Sequence, residues 1–210
     1  MARNKAIFDA DILINLIKTN SIDYILNHFE QIYISDYVFE NELIDGTAEK
    51  KKIKKLINQK LIKVLYRSDL TPIQRKIYYE AYNTLEEHTY TEVINEGERI
   101  TASYASAHKV CYYMSDDNKA APHIRTLTNI EVINYCDLLY ISYRINEDDA
   151  IILNEFYNSY ISIFDEDKIP RTIKKRDKSI RTFPEMMAKC CLKFEKNQRL
   201  FEYLNLMIKK

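Results

Sequence analysis

The chain has 210 residues, of which 46% are hydrophobic and 30% charged, a balance typical of globular proteins rather than of wholly disordered ones. No segment approaches the roughly 18 consecutive apolar residues of a membrane span, and Asp9 comes too early for the apolar core of a secretion signal. Two glycines are too few for a P-loop or a Gly-rich dinucleotide motif. Four cysteines without C-x-x-C spacing favour a reduced, cytoplasmic protein.

Short apolar segments with strand character alternate along the chain with segments of helical periodicity. The predicted strands cover 6–9, 31–35, 61–66, 110–114 and 130–134. The predicted helices cover 11–18, 22–29, 36–44, 48–59, 72–88, 98–109, 118–124, 136–144, 150–164 and 182–207, the last with a break near Asn197. Capping boxes start the helices after Thr71 and Thr182.

The alternation predicts an α/β fold, a three-layer sandwich around a central parallel sheet of about five strands. We expect this domain to cover 1–148 and a helical C-terminal extension with a basic segment to cover 149–210. The extension carries most of a charge asymmetry: residues 168–210 contain 13 Lys and Arg against 4 Asp and Glu, whereas 1–167 contain 18 against 27. A basic end on an acidic body indicates either a polyanionic partner or a basic helix that docks on the acidic face.

Carboxylates follow the predicted strands at several points, and in a parallel α/β sheet the functional crevice lies at these strand ends. The acids and neighbouring polar residues are Asp9 and Asp11 after the first strand, Glu42 after the second, Glu98 before the fourth, and Ser115, Asp116 and Asp117 after the fourth. If strands one and four are neighbours, these acids converge. Such a cluster repels itself unless it is protonated or binds cations, and oxygen ligands suit Mg²⁺ or Mn²⁺. Taken singly, each acid also fits an ordinary role as a helix cap or a solvated side chain.

Four segments in order resemble the motifs of PIN-domain nucleases, over roughly residues 5–140. Residues 6–14 resemble the opening D-x-[STND]-x-L-I motif, and 34–43 resemble S-x-x-V-x-x-E-L. Residues 97–105 resemble G-[DE]-x-x-A on a small-residue helix, and 113–119 resemble an apolar strand that ends in acids.

The resemblance implies a parallel α/β sandwich, an Mg²⁺ or Mn²⁺ site and endonuclease activity on single-stranded nucleic acid, usually RNA but with single-stranded DNA as an option. It implies metal-site and catalytic acids at Asp9, Glu42, Glu98 and Asp116 or Asp117, supported by Asp11 and Ser115. Many members are toxins of toxin–antitoxin pairs and many form homodimers, so we expect a homodimer, an antitoxin or other protein partner, and a toxin or phage-defence setting.

The basic segment is expected to capture the substrate through phosphate contacts. Its cations are Arg171, Lys174, Lys175, Arg176, Lys178 and Arg181. Two other functions stay open. Asp9 and Asp11 could serve as nucleophile and general acid of a haloacid-dehalogenase-type phosphohydrolase, with Asp116 and Asp117 on Mg²⁺. The acids could instead be structural parts of a non-catalytic module that binds nucleic acid.

Overall fold

The computed structural model describes residues 5–87, 94–117, 119–166 and 182–208. Within them, five strands form one all-parallel sheet: β1 (Lys5–Phe8), β2 (Gln31–Ser35), β3 (Ile62–Leu65), β4 (Tyr112–Met114) and β5 (Glu131–Ile133). Their order in the sheet is β3-β2-β1-β4-β5. The predicted α/β class with a parallel five-stranded sheet and a helical C-terminal region is confirmed.

Helices flank the sheet and form the C-terminal region. The α-helices of the described residues are α1 (Ala10–Lys18), α2 (Ile22–Leu26), α3 (Ala48–Asn58), α4 (Pro72–Glu87), α5 (Glu96–Ala107), α6 (Ala120–Thr128), α7 (Tyr135–Ile145), α8 (Ala150–Glu166), α9 (Phe183–Lys196) and α10 (Gln198–Ile208). The predicted capping boxes are present: Gln74 Oε1 accepts the Thr71 N–H at 3.0 Å, and Glu185 Oε2 accepts the Thr182 N–H at 2.8 Å. Among these helices, none combines the length and apolar character that crossing a membrane requires.

Several predicted helices differ from the structure at their ends; among them, α6 runs to Thr128 and not to the predicted 124. The segment predicted as a helix over 36–44 is a single π-helical turn, Val38–Glu42, closed by the Leu43 N–H on the Val38 carbonyl at 3.0 Å. Helix α5 begins two residues before the predicted start at 98, because Asn95 caps it. Helix α2 ends at Leu26, after which the Phe29 N–H closes a turn on the Leu26 carbonyl.

The backbone divides into two compact units: unit 1 comprises residues 1–14 and 26–134, and unit 2 comprises 15–25 and 135–210. The predicted domain boundary at 148 stays a prediction. Unit 1 contains the whole sheet, and its core includes apolar residues of α5 and β4 such as Ile100, Tyr104 and Tyr113. In unit 2, α7 packs on α8, α9 and α10. Tyr140 and Phe194, with ring centroids 5.1 Å apart, lie in that packing.

Parallel pairing of β1 with β4 decides which residues meet at the carboxyl edge of the sheet. Ile7 is in register with Tyr113 and Phe8 with Met114, so the next residues, Asp9 and Ser115, leave the sheet side by side. The adjacency of strands one and four, on which the predicted convergence of the acids depended, is therefore present.

Candidate active site at the carboxyl edge of the sheet

Asp9 is buried at the end of β1 and is held by donors from its own turn and from β4. Its Oδ1 accepts the Ala10 N–H at 3.0 Å, and its Oδ2 accepts the hydroxyls of Tyr113 at 2.8 Å and Ser115 at 3.2 Å. Burial raises the pKa of the Asp9 carboxyl to about 6, although the hydrogen bond from Tyr113 lowers it. The donors fix the orientation of this carboxylate in a site that otherwise disfavours its charge.

The π-helical turn that carries Glu42 is tied to its neighbours by two side chains. Ser35 Oγ, fully buried at the end of β2, accepts the Val38 N–H at 3.2 Å and lies 2.9 Å from Thr101 Oγ1 on α5. Past the turn, Lys50 donates to the Leu43 carbonyl at 2.9 Å. Single-turn π-helices are rare and are frequent at functional sites. Here the turn directs Glu42 towards α5.

Glu42 lies against the first turn of α5, and Gly97 makes room for it. A Cβ atom on Gly97 would lie 2.1 Å from Glu42 Oε1, well inside contact distance. Glu42 Oε2 is shielded from solvent and has no hydrogen-bond partner among the described residues. A buried carboxylate oxygen without a donor is costly, because its desolvation is not compensated.

Glu98 is fixed by the cap of α5. The Glu98 N–H donates to Asn95 Oδ1 at 2.9 Å, and Glu98 Oε2 accepts the Asn95 N–H at 2.8 Å. The residue is 2% exposed. This reciprocal capping box gives Glu98 a structural role, and it holds the carboxylate in one place beside the other acids.

Of the two acids after β4, Asp117 is hydrogen-bonded into the start of α6. Its N–H donates to Ser115 Oγ at 3.1 Å, and its Oδ1 accepts the N–H groups of Lys119 at 2.6 Å and Ala120 at 3.1 Å. It therefore supports the start of α6. The charge of Asp117 also raises the pKa of Asp11 and Glu98. Asp116 is half-buried next to it.

Five of the predicted acids form one electrostatic network, which we call the carboxylate cluster: Asp9, Asp11, Glu42, Glu98 and Asp117. Burial, followed by the charges of Asp9 and Asp11, raises the pKa of Glu42 to about 7. Burial raises the pKa of Glu98 to about 7 as well. The Asn95 N–H opposes that rise, whereas nearby carboxylates, Asp117 first, add to it. Near pH 7 the cluster thus holds fewer charges than it has carboxyl groups.

The oxygen atoms of the carboxylate cluster are of the kind that binds a hard divalent cation, but they are not arranged around one point as metal ligands are. Carboxylate oxygens are the ligands that Mg²⁺ and Mn²⁺ prefer, mutual repulsion favours a counter-cation, and Glu42 offers a buried oxygen without a donor. Among the described residues, however, no group of three or more His, Cys, Asp or Glu side chains is arranged to hold a metal ion. The carboxylates of Asp9, Glu98 and Asp117 instead accept hydrogen bonds from other groups of the chain.

Several residues that build the site were not predicted as site residues, although some of them lie within the four motif segments. They are Ser35, Asn95, Gly97, Thr101 and Tyr113. Asn95 had a readable signal, because Asn followed three residues later by Glu is a capping-box signature. Tyr113 had another, because it lies two residues before the predicted Ser115 and residues two apart on a strand share a face.

The predicted nucleic-acid contacts of the basic segment, Arg171, Lys174, Lys175, Arg176, Lys178 and Arg181, lie outside the described residues. Comparisons with protein-family models, with curated proteins and with solved structures found no match for this chain. What supports a function is therefore the chemistry of the carboxylate cluster and its position in the fold.

Proposed function

We propose that this protein is a metal-dependent endonuclease that cleaves single-stranded nucleic acid, RNA in the first place. The observation that carries the proposal is the carboxylate cluster, five acids from four separate segments at the carboxyl edge of a parallel sheet. Burial first, and then the charges of neighbouring acids, raise the pKa values of Asp9, Asp11, Glu42 and Glu98. Structural carboxylates are normally paired or solvated, so an uncompensated cluster in the functional crevice of an α/β sheet favours cation binding.

Glu42, Glu98 and Asp117 are the residues that would hold a divalent cation together with Asp9. Such a cation supplies positive charge for a phosphodiester and lowers the pKa of a bound water. The chain itself supplies the orientation: Tyr113 and Ser115 fix Asp9, and Asn95 fixes Glu98. Asp11 contributes charge to the network, and its own raised pKa comes from burial and from Asp117.

The test is digestion of total RNA with Mg²⁺, with Mn²⁺ and with excess chelator, followed by mapping of the new ends. The matched inactive variant is Glu98→Gln, because the glutamine oxygen can still accept the Asn95 N–H and preserve the cap. Glu80→Gln, an exposed acid on α4, is the control. We expect wild type and control to cleave only with metal and the Glu98 variant to lose about 10³-fold, equivalent to about 4 kcal/mol. Undiminished cleavage in chelator contradicts the proposal.

The phosphohydrolase alternative has one supporting feature, the raised pKa of Asp11, since a general acid must hold its proton. Against it, both oxygens of Asp9 already accept hydrogen bonds, which weakens this residue as a nucleophile. Hydrolysis of an aryl phosphate that survives Glu98→Gln and fails with Asp9→Asn would favour it.

The non-catalytic alternative draws support from the capping roles of Glu98 and Asp117. RNA binding without cleavage under every metal condition would favour it.

A cytoplasmic location and a protein partner are part of the proposed function. The four cysteines, all within the described residues, are free thiols, which fits a reducing cytoplasm. Unit 2 exposes large apolar side chains, Leu192, Phe201 and Leu206, which could contact a second copy or an antitoxin. Growth arrest on expression, relieved by Glu98→Gln, is the outcome expected of a toxin or phage-defence nuclease.

A further inference from the structure

A second group of side chains leaves the sheet at the same carboxyl edge, beside β2 and β3. Ser35 is in register with Leu65, so Asp36 and Tyr66 follow the two strands side by side, and Arg67 comes next. Tyr33 is in register with Ile7, which puts Ser35 level with Asp9. Strands in a sheet lie about 4.8 Å apart, so Arg67 emerges roughly 10 Å across the sheet from Asp9.

Four tyrosines here form a cluster around the buried ring of Tyr78, which we call the tyrosine cluster. Tyr78 is 1% exposed, and its ring meets those of Tyr104 at 4.9 Å, Tyr79 at 5.4 Å and Tyr82 at 6.3 Å between centroids. Tyr104 Oη donates to Asp36 Oδ2 at 3.0 Å, and this hydrogen bond connects the tyrosine cluster to the end of β2. The Tyr78 hydroxyl is buried and has no partner among the described residues. Tyr79 therefore packs against a buried ring that is itself held by neighbouring rings.

Tyr79 and Arg67 are the members that face solvent. Tyr79 is 47% exposed although it stands edge-on to a buried ring, and Arg67 is exposed. Partial burial lowers the pKa of the Arg67 guanidinium, but the nearby groups, led by Tyr78 and Asp36, raise it overall. Arg67 therefore carries a full positive charge near the tyrosine cluster, at an edge where carboxylates would otherwise repel a polyanion.

We propose that Tyr79 and Arg67 form a nucleotide-binding platform, with one base of a single-stranded substrate stacked on the Tyr79 ring and its phosphate at the Arg67 guanidinium. An aromatic face binds any base, and a guanidinium binds a phosphate oxygen pair, so the platform gives affinity without sequence preference. The inference rests on the proposed nuclease function and names where its substrate is held, next to the carboxylate cluster.

The experiment measures binding of a fluorescent single-stranded RNA of about 12 nucleotides to the Glu98→Gln chain, which keeps substrate intact. Tyr79→Ala should weaken binding about tenfold with no change in salt dependence, because it removes a base contact and no charge. Tyr79→Phe should restore it. Arg67→Ala should weaken binding and reduce the slope of log affinity against log salt by about 0.7, the value for one phosphate on a single strand.

Matched controls lie on α4: Ile73→Ala, at a side chain that is 74% exposed, and Lys76→Ala, at an exposed cation. Both should stay within about twofold of the parent. On inorganic polyphosphate, Tyr79→Ala should have no effect on binding, which separates base stacking from charge.

The platform is overturned if Tyr79→Ala and Arg67→Ala bind RNA like the controls, or if the parent binds no RNA. Cleavage is measured in parallel with Glu98 intact: binding at the platform without cleavage sinks the nuclease function alone, whereas cleavage with unaffected Tyr79 and Arg67 variants sinks the platform alone.

Discussion

The carboxyl edge of the sheet and the rest of the described chain treat buried acids in opposite ways. In unit 2, Asp137 is 1% exposed and the ammonium of Lys193 on α9 meets it directly. In unit 1, Glu131 is similarly buried and pairs with Arg125 at 2.7 Å. At the carboxyl edge of the sheet, by contrast, no ion pair within the described residues involves Asp9, Glu42 or Glu98. The fold thus compensates buried charge elsewhere, and the exception coincides with the crevice where α/β sheets bind ligands.

Breaking the compensated pair of unit 2 should have the largest effect on stability. Lys193→Met leaves Asp137 buried without its cation, which costs about 3–5 kcal/mol in fully buried pairs. The Lys193 side chain is 35% exposed, so we expect about 2–3 kcal/mol in the free energy of unfolding, measured by urea denaturation. Lys189→Met, on the same helix and exposed, should change it by less than about 0.5 kcal/mol. Equal losses in both variants would show that the pair is not what stabilises this helix.

The charge contrast between 1–167 and 168–210 predicts the next largest effect, on binding. Reversing Lys174, Lys175 and Arg176 to Glu should weaken RNA binding uniformly across sequences and flatten the salt slope by about 2 units, at about 0.7 for each phosphate that is no longer neutralised. Turnover at saturating RNA should change little, because uniform binding energy acts on the Michaelis constant. A triple variant with the wild-type salt slope would assign the segment to docking on the acidic body or to a dimer contact.

Gly97→Ala displaces Glu42 without removing any carboxylate. The new Cβ would lie 2.1 Å from Glu42 Oε1 and push that side chain away, and alanine itself favours the helix, so the fold should be retained. We expect about tenfold lower kcat/KM for RNA, with the free energy of unfolding within about 1 kcal/mol of wild type. Shortening the displaced side chain with Glu42→Asp in the same chain should recover part of the activity. Full activity in Gly97→Ala would mean that the position of Glu42 does not matter.

Glu42→Gln should stabilise the metal-free protein, and its effect should depend on pH. The pKa of Glu42 is raised from its ordinary value of 4.5 to about 7, so the folded state binds more protons than the unfolded state between these values. Stability contributed by the protonated form is therefore present below about pH 4.5 and is lost as pH rises through about 7. A pKa change of this size is equivalent to about 3 kcal/mol, which solvent screening reduces because Glu42 is only half-buried. We therefore expect Glu42→Gln to be about 1 kcal/mol more stable than wild type at pH 8 and nearly equal at pH 4.5, by thermal unfolding in chelator. A difference that does not vary with pH would contradict the burial of an uncompensated charge.

Much of the fold could be predicted from the sequence because hydrophobic periodicity is local. All five strands lie within or next to their predicted ranges, and the break before α10 falls at Asn197. The π-helical turn at 38–42 could not be predicted in this way, because it depends on a tertiary contact: Ser35 accepts the Val38 N–H beside Thr101 of α5. Because parallel strands end at the same edge of a sheet, the sequence also predicted that the acids would meet there. It did not choose between Asp116 and Asp117, because the hydrogen bonds that tie Asp117 to Ser115 and to the start of α6 depend on a local turn that the strand pattern does not show.

The most direct test of the carboxylate cluster as a cation site is the melting temperature of the chelator-treated protein on addition of Mn²⁺ at pH 8. Binding to the folded state at about 100 times the dissociation constant stabilises by about 2.7 kcal/mol, which corresponds to a rise of roughly 5 °C or more for a chain of this size. We predict that rise in wild type and in the Glu80→Gln control, and its loss in Glu42→Gln and Glu98→Gln. An equal rise in all four proteins, or none in wild type, would contradict the account.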